Sequence, residues 1–94
     1  MNIVMRKAKV GDIAGLDKVM QVISDGPGDR EKMALLIENM LRDENKYLLV
    51  AVNEDNGEIA GSLLGVAFED ICGDCRPILL VENVAVLDKY QGYG

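Results

Sequence analysis

Histidine is absent from all 94 residues. That absence excludes Ser-His-Asp and Cys-His catalysis, and with them any histidine-ligated metal. Tryptophan is missing too, and one Phe with three Tyr make up the aromatic content. The core must therefore rest on Leu, Ile, Val and Met. Cysteine occurs only at Cys72 and Cys75. The opening MNIVMRKAKVGD carries no long apolar segment of the secretory type, so a reducing, cytoplasmic setting is expected. No apolar run approaches the ~18 residues of a membrane span, and no membrane partner is expected. Cations are in deficit: 10 Lys and Arg face 16 Asp and Glu, for a net charge of −6. Nucleic-acid binding needs clustered Lys and Arg to neutralise phosphates, so no nucleic-acid partner is expected. An acidic surface is compatible with an amine substrate.

Apolar residues make up 49% and charged residues 28%, ordinary for a globular chain. The length allows one domain, residues 1–94, with a thin core. Ile3 to Lys9 alternates as a short first strand, and the Arg6-Lys7-Lys9 cluster reads as its solvated face. Gly11-Asp12 breaks that strand, and Asp12 is placed to cap a helix. Ile13, Leu16, Val19, Met20 and Ile23 follow at helical spacing. Ser24 to Gly28 is a loop. Asp29 can cap a second helix, whose stripe is Met33, Leu36, Ile37, Met40 and Leu41. From Tyr47 the pattern changes to strands. YLLVAV is apolar on both faces, and Asn56-Gly57 signals a hairpin through positive φ. Ile59 to Phe68 is the returning strand, in which Gly61 and Gly65 mark a bulge or a close backbone approach. Ile78 to Leu87 is a fourth strand. The expected class is α+β: an antiparallel sheet of about four strands with two helices, in the order β-α-α-β-β-β.

The final segment, ENVAVLDKYQGYG, runs from an apolar strand into a glycine-rich turn. Such a junction presents backbone N–H groups to an anion such as phosphate. Val84-Ala85-Val86 followed by Gln91-Gly92-Tyr93-Gly94 resembles the acyl-CoA-binding motif of the GNAT N-acetyltransferase superfamily. That motif reads R/Q-x-x-G-x-G/A after a strand of V-x-V type. Gln91 to Gly94 supplies its first four positions, so the sequence reads as the N-terminal half of such a domain, cut inside the pyrophosphate loop. The resemblance implies acetyl-CoA as acyl donor, no metal, and a small primary amine as acceptor by direct attack. It implies that backbone groups of Val84, Ala85 and Val86 bond the pantetheine arm, one N–H stabilising the oxyanion. Gln91, Gly92, Tyr93 and Gly94 would hold the pyrophosphate. The wording looks most like small-molecule acetyltransferases such as those of glucosamine phosphate. The family's usual tyrosine acid matches neither Tyr90 nor Tyr93 by position, so the isolated chain is expected to be inactive.

Glu82 precedes the V-x-V segment, where a carboxylate could take the proton of a substrate ammonium. Burial beside an apolar strand would raise its pKa toward a useful range. Asn83 could position substrate by hydrogen bonding. Cys72-Gly73-Asp74-Cys75 lacks both a thioredoxin-like context and further metal ligands, and reads as a loop. Arg76 lies in that same loop, which often borders the acceptor pocket in the family. A rival reading is a non-catalytic half-domain that self-associates, as a homodimer, through an exposed fourth-strand edge.

Overall fold

The computed structural model describes residues 1–92. Strand β1 (Ile3–Lys7) leads through a single 3-10 turn at Val10–Asp12 into helix α1 (Ile13–Met20) and helix α2 (Arg30–Arg42). Three strands follow, β2 (Lys46–Asn53), β3 (Glu58–Phe68) and β4 (Ile78–Val86), then a second 3-10 turn at Asp88–Tyr90. The sheet order is β1-β2-β3-β4, and each neighbouring pair is antiparallel. The α+β class and the element order match the expectation.

The helices start and stop for local reasons. Asp29 caps α2, its side chain accepting from the Lys32 N–H at 3.1 Å. Asp12 behaves differently from expectation, because its carboxylate makes no cap to α1. It turns back to accept from the Lys9 N–H at 2.9 Å and from both terminal nitrogens of Arg6, at 2.7 and 2.8 Å. Arg6 is thus a clamp on the turn between β1 and α1, and no part of a solvated cluster. Burial explains the difference: Asp12 is only 7% exposed, and a buried carboxylate needs charged or N–H partners. Helix α1 also ends earlier than its apolar stripe, leaving Ile23 exposed beyond it.

The hairpin between β2 and β3 uses four residues. Gly57 adopts φ +75° and its N–H reaches the Asn53 carbonyl at 2.7 Å, whereas Asn56 keeps a negative φ. Ala60 is an extra residue on β3, since Ala51 pairs with Gly61 and Val52 with Ile59. The expected close approach occurs beside it, at Gly61. A Cβ there would stand 2.8 Å from the Ala85 carbonyl oxygen.

Both helices pack on one sheet face. Val19 and Val50 are fully buried between them, with Ala8, Leu16, Ile37, Ile59, Ala85 and Leu87. Each fully buried valine contributes roughly 1.5–3 kcal/mol through lost water contact. On the other face Met5, Tyr47, Leu79 and Val81 are exposed. Leu36 and Leu41 of the α2 stripe are also exposed, so that helix buries a narrower face than its spacing suggests.

Candidate active site

Strand β4 is an edge, paired on one side only among the described residues. Its pairing with β3 is interrupted. Ser62 faces Ala85 and Leu64 faces Glu82, so Leu63 alone opposes Asn83 and Val84 together. The extra residue lies on β4, where Asn83 takes φ +52°. A left-handed residue in a strand takes its backbone groups out of the regular ladder and re-aims its neighbours. Asn tolerates this geometry better than most L-residues.

The bulge decides which way the candidate residues face. Residues directly opposite across a pair share a sheet face. Leu64 and Ser62 lie on the helix side, so their partners Glu82 and Ala85 do too. In an unbroken strand, residues three apart would face opposite ways. The bulge therefore brings Glu82 to the same side as the buried Ala85. Glu82 and Asn83 are nevertheless exposed, so the apolar burial expected for Glu82 is not supplied by the described residues. Val84 is 57% exposed, Ala85 is buried and Val86 is half-buried.

Behind the bulge lies a cavity of about 120 Å³ under α1 and α2. Its lining includes Met20, Met33, Met40, Ser62, Leu64 and Asn83. Ser62 is 7% exposed, and its hydroxyl finds no hydrogen-bond partner among the described residues. The roof of this space is tied down by Asp17, itself 2% exposed. The Asp17 carboxylate accepts from the Gly28 N–H at 2.8 Å and from Arg30 Nε at 2.9 Å. The Gly28 bond, then Arg30, hold its pKa below the usual carboxylate value.

The turn after β4 is held as firmly. The Tyr90 hydroxyl donates to Glu58 at 2.7 Å and accepts from the Asn53 amide at 3.0 Å. Lys89 and Lys18 also reach Glu58, at 2.7 and 3.1 Å. Lys89 foremost, then Tyr90 and Lys18, press the Glu58 pKa down to about 2. Beyond Tyr90, the Gln91 side-chain amide donates to the Val86 carbonyl at 2.9 Å and to Asp88 at 3.2 Å. Its backbone N–H bonds the Asp88 carbonyl at 3.2 Å. Gln91 thus braces the loop with donors the motif would have aimed at phosphate. Gly92 has φ +89°, a conformation suited to glycine. Tyr93 and Gly94 lie outside the described residues.

Cys72 and Cys75 are free and exposed in the β3–β4 loop. There Arg76 pairs with Asp74 at 3.3 Å on the open surface. Among the described residues no cluster of three or more His, Cys, Asp or Glu side chains could hold a metal. No helix there is long and apolar enough to cross a membrane.

A four-stranded antiparallel sheet with a bulged edge strand, two helices on one face and a glycine turn after the edge is the N-terminal part of the GNAT acetyltransferase fold. Solved acetyltransferase structures superpose on nearly all of this chain. A candidate acetyltransferase from Agrobacterium tumefaciens is 25% identical, superposes with a TM-score of 0.80, and matches 95% of this chain and 62% of its own. The glucosamine-6-phosphate N-acetyltransferase of Arabidopsis thaliana is 18% identical, with a TM-score of 0.85 over 98% of this chain and 65% of its own. A GNAT family acetyltransferase of Staphylococcus aureus is 13% identical, with a TM-score of 0.82 over all of this chain and 69% of its own. The chain thus spans less than two thirds of the first two. No protein-family model matches the sequence, and no curated protein gives a significant match.

Sequence reasoning located the strand and the turn but missed Ser62 and the cavity behind it. The one signal was the run Gly61-Ser62, a small polar residue inside an otherwise apolar strand.

Proposed function

We propose that this chain is the donor-binding part of an N-acetyltransferase that moves acetyl from acetyl-CoA to the primary amine of a small molecule. The observation that carries the reading is the bulge at Asn83 and Val84 on an edge strand. It leaves backbone groups outside the β3 ladder at the point where the V-x-V segment begins. An extended, amide-bearing arm can add to such an edge as a further strand would. The donor supplies an activated acyl group when bound. Val84, Ala85 and Val86 offer main-chain partners along the arm, and an N–H at the bulge is a preorganised donor for an acyl oxygen. Gly92 and the residues after it receive the pyrophosphate, with Gln91 as a brace. Glu82, on the helix side of β4, draws a substrate ammonium and takes its proton directly or through water. Asn83 positions the amine.

Titrating acetyl-CoA into 15N-labelled protein tests this. Amide shifts at Val84, Val86 and Gly92 are expected; silence there at millimolar acetyl-CoA refutes the reading. CoA release with amines is expected to stay near the blank, because no tyrosine acid is placed at the bulge among the described residues.

A second reading has its own observation. The edge of β4 and the apolar face bearing Met5, Leu79 and Val81 are both open. Such surfaces favour pairing with another copy. Sedimentation giving a monomer at high concentration counts against it.

A further inference from the structure

The two cysteines of the chain stand three positions apart, between β3 and β4, and both are free and exposed. The segment that carries them is a built turn. The Cys75 N–H donates to the Cys72 carbonyl at 3.1 Å, and a four-residue turn closed in this way keeps its outer Cα atoms within about 7 Å. Gly73, at the first central position, has φ +59°, where a residue with a Cβ is strained. The Asp70 carboxylate accepts from the Cys72 N–H at 3.1 Å and fixes the way in. Cys75 takes φ +56°, and its thiol folds back over the turn, with Sγ 3.8 Å from the Gly73 carbonyl oxygen. A disulfide needs Cα atoms about 4.4–6.8 Å apart, a separation that such a turn supplies.

We infer that Cys72 and Cys75 are a site of reversible modification, closing a disulfide across this turn by exchange with a small-molecule disulfide of the glutathione class. One thiolate attacks a sulfur of oxidised glutathione, forming a protein–glutathione disulfide and expelling a first glutathione thiolate. The other thiolate attacks the protein-side sulfur, forming the Cys72–Cys75 bond and expelling the second. Two electrons pass from the cysteines to the glutathione disulfide, and the two thiol protons end on the released glutathiones. The turn holds the second thiol at high effective concentration, so the mixed disulfide does not accumulate. Pro77 and then β4 follow the pair, and no helix starts there as in a thioredoxin-like catalyst. The pair is therefore a substrate of exchange and not an oxidoreductase. The turn precedes Ile78, the first residue of β4, whereas the bulge lies at Asn83 and Val84. Its chemistry is thus independent of the acetyltransferase reading.

Equilibrating the reduced chain anaerobically in buffers of reduced and oxidised glutathione, then quenching with acid and weighing the intact protein, tests this. With oxidised glutathione in excess, the chain is expected to lose two hydrogens and retain no glutathione. It is expected to run as a single chain on non-reducing electrophoresis, and dithiothreitol is expected to restore the starting mass. Cys72→Ser and Cys75→Ser are each expected to stop at the mixed disulfide, carrying one glutathione. Gly73→Val separates the turn from mere nearness in sequence. A Cβ at Gly73 meets nothing within 4 Å, so the substitution strains the backbone without a clash. Its equilibrium constant for ring closure is expected to fall about tenfold, the cost of a left-handed β-branched residue. Glutathione retained on the unaltered chain, disulfide-linked dimers, thiols that stay reduced throughout, or an unchanged constant for Gly73→Val would each overturn the inference.

Discussion

Replacing Gly61 by alanine should open the β3–β4 seam. The added Cβ would stand 2.8 Å from the Ala85 carbonyl oxygen and 3.3 Å from Val86 Cγ2. The nearer obstacle is backbone, so rotamer changes cannot relieve it, and β4 must shift by several tenths of an ångström. Overpacking of this kind costs about 1–3 kcal/mol. Gly65 is the internal control on the same strand. Its Cβ would meet only side-chain carbon of Leu79 and Tyr47, at 3.4 Å or more. Neither glycine has a positive φ, so backbone strain drops out of the comparison. Gly65→Ala should be neutral, or more stable by about 0.4–1 kcal/mol through reduced freedom of the unfolded chain. With a urea slope of about 1–2 kcal/mol/M, a loss of about 2 kcal/mol lowers the Gly61→Ala midpoint by roughly 1–2 M. Equilibrium urea unfolding followed by circular dichroism reads both variants. Amide shifts at Asn83 and Val84 should move in Gly61→Ala alone, because the displaced strand carries the bulge. Coincident midpoints for the two variants would refute the reasoning.

Other expectations follow from the same geometry. Asp12, Asp17 and Glu58 all titrate below their ordinary values, held chiefly by Arg6, the Gly28 N–H and Lys89 respectively. A depressed native pKa gives stability that is fully present above the unfolded value near 4–4.5 and is lost as pH falls through the native one. Thermal melts should therefore fall steeply from pH 4.5 toward pH 2 and stay nearly flat from pH 5 to 7; a flat acid limb contradicts the ion-pair assignments. Asn83→Gly should unfold within a few tenths of a kcal/mol of the parent. Asn83→Val, β-branched at φ +52°, should lose about 1–2 kcal/mol; equal stabilities would show that the left-handed residue is not fixed. Ser62→Ala removes a buried hydroxyl without a partner among the described residues. It should be neutral or stabilising by up to about 1 kcal/mol, and a marked drop in melting temperature would point to a hidden partner.

Much of the fold was legible because periodicity and punctuation agreed. Alternation at Ile3 to Lys7, the helical spacing of Leu16, Val19 and Met20, and the Asp29 cap all act over a few residues. What escaped depends on long-range contacts. The Arg6–Asp12 clamp joins residues whose local pattern suggested a wet strand face and a cap, and burial alone made them partners. The bulge at Asn83 cannot be read from ENVAV, because the extra residue exists only relative to Leu63 on another strand. Gly61 hinted at a close approach but not at which strand would make it. Ser62 looked like an ordinary small residue until the helices closed over its neighbours and left its hydroxyl buried with no partner among the described residues.

The hydroxyl of Tyr90 reaches across to the base of the β2–β3 hairpin, where Glu58 and Asn53 grip it. That spans more than thirty positions of chain and fastens the exit of β4 to the hairpin at the same end of the sheet. An incoming anion would therefore meet a seat already bolted in place, and little freedom up to that point is left to surrender on capture. Cutting the bolt, as in Tyr90→Phe, should slacken the seat and leave the sheet beneath it standing.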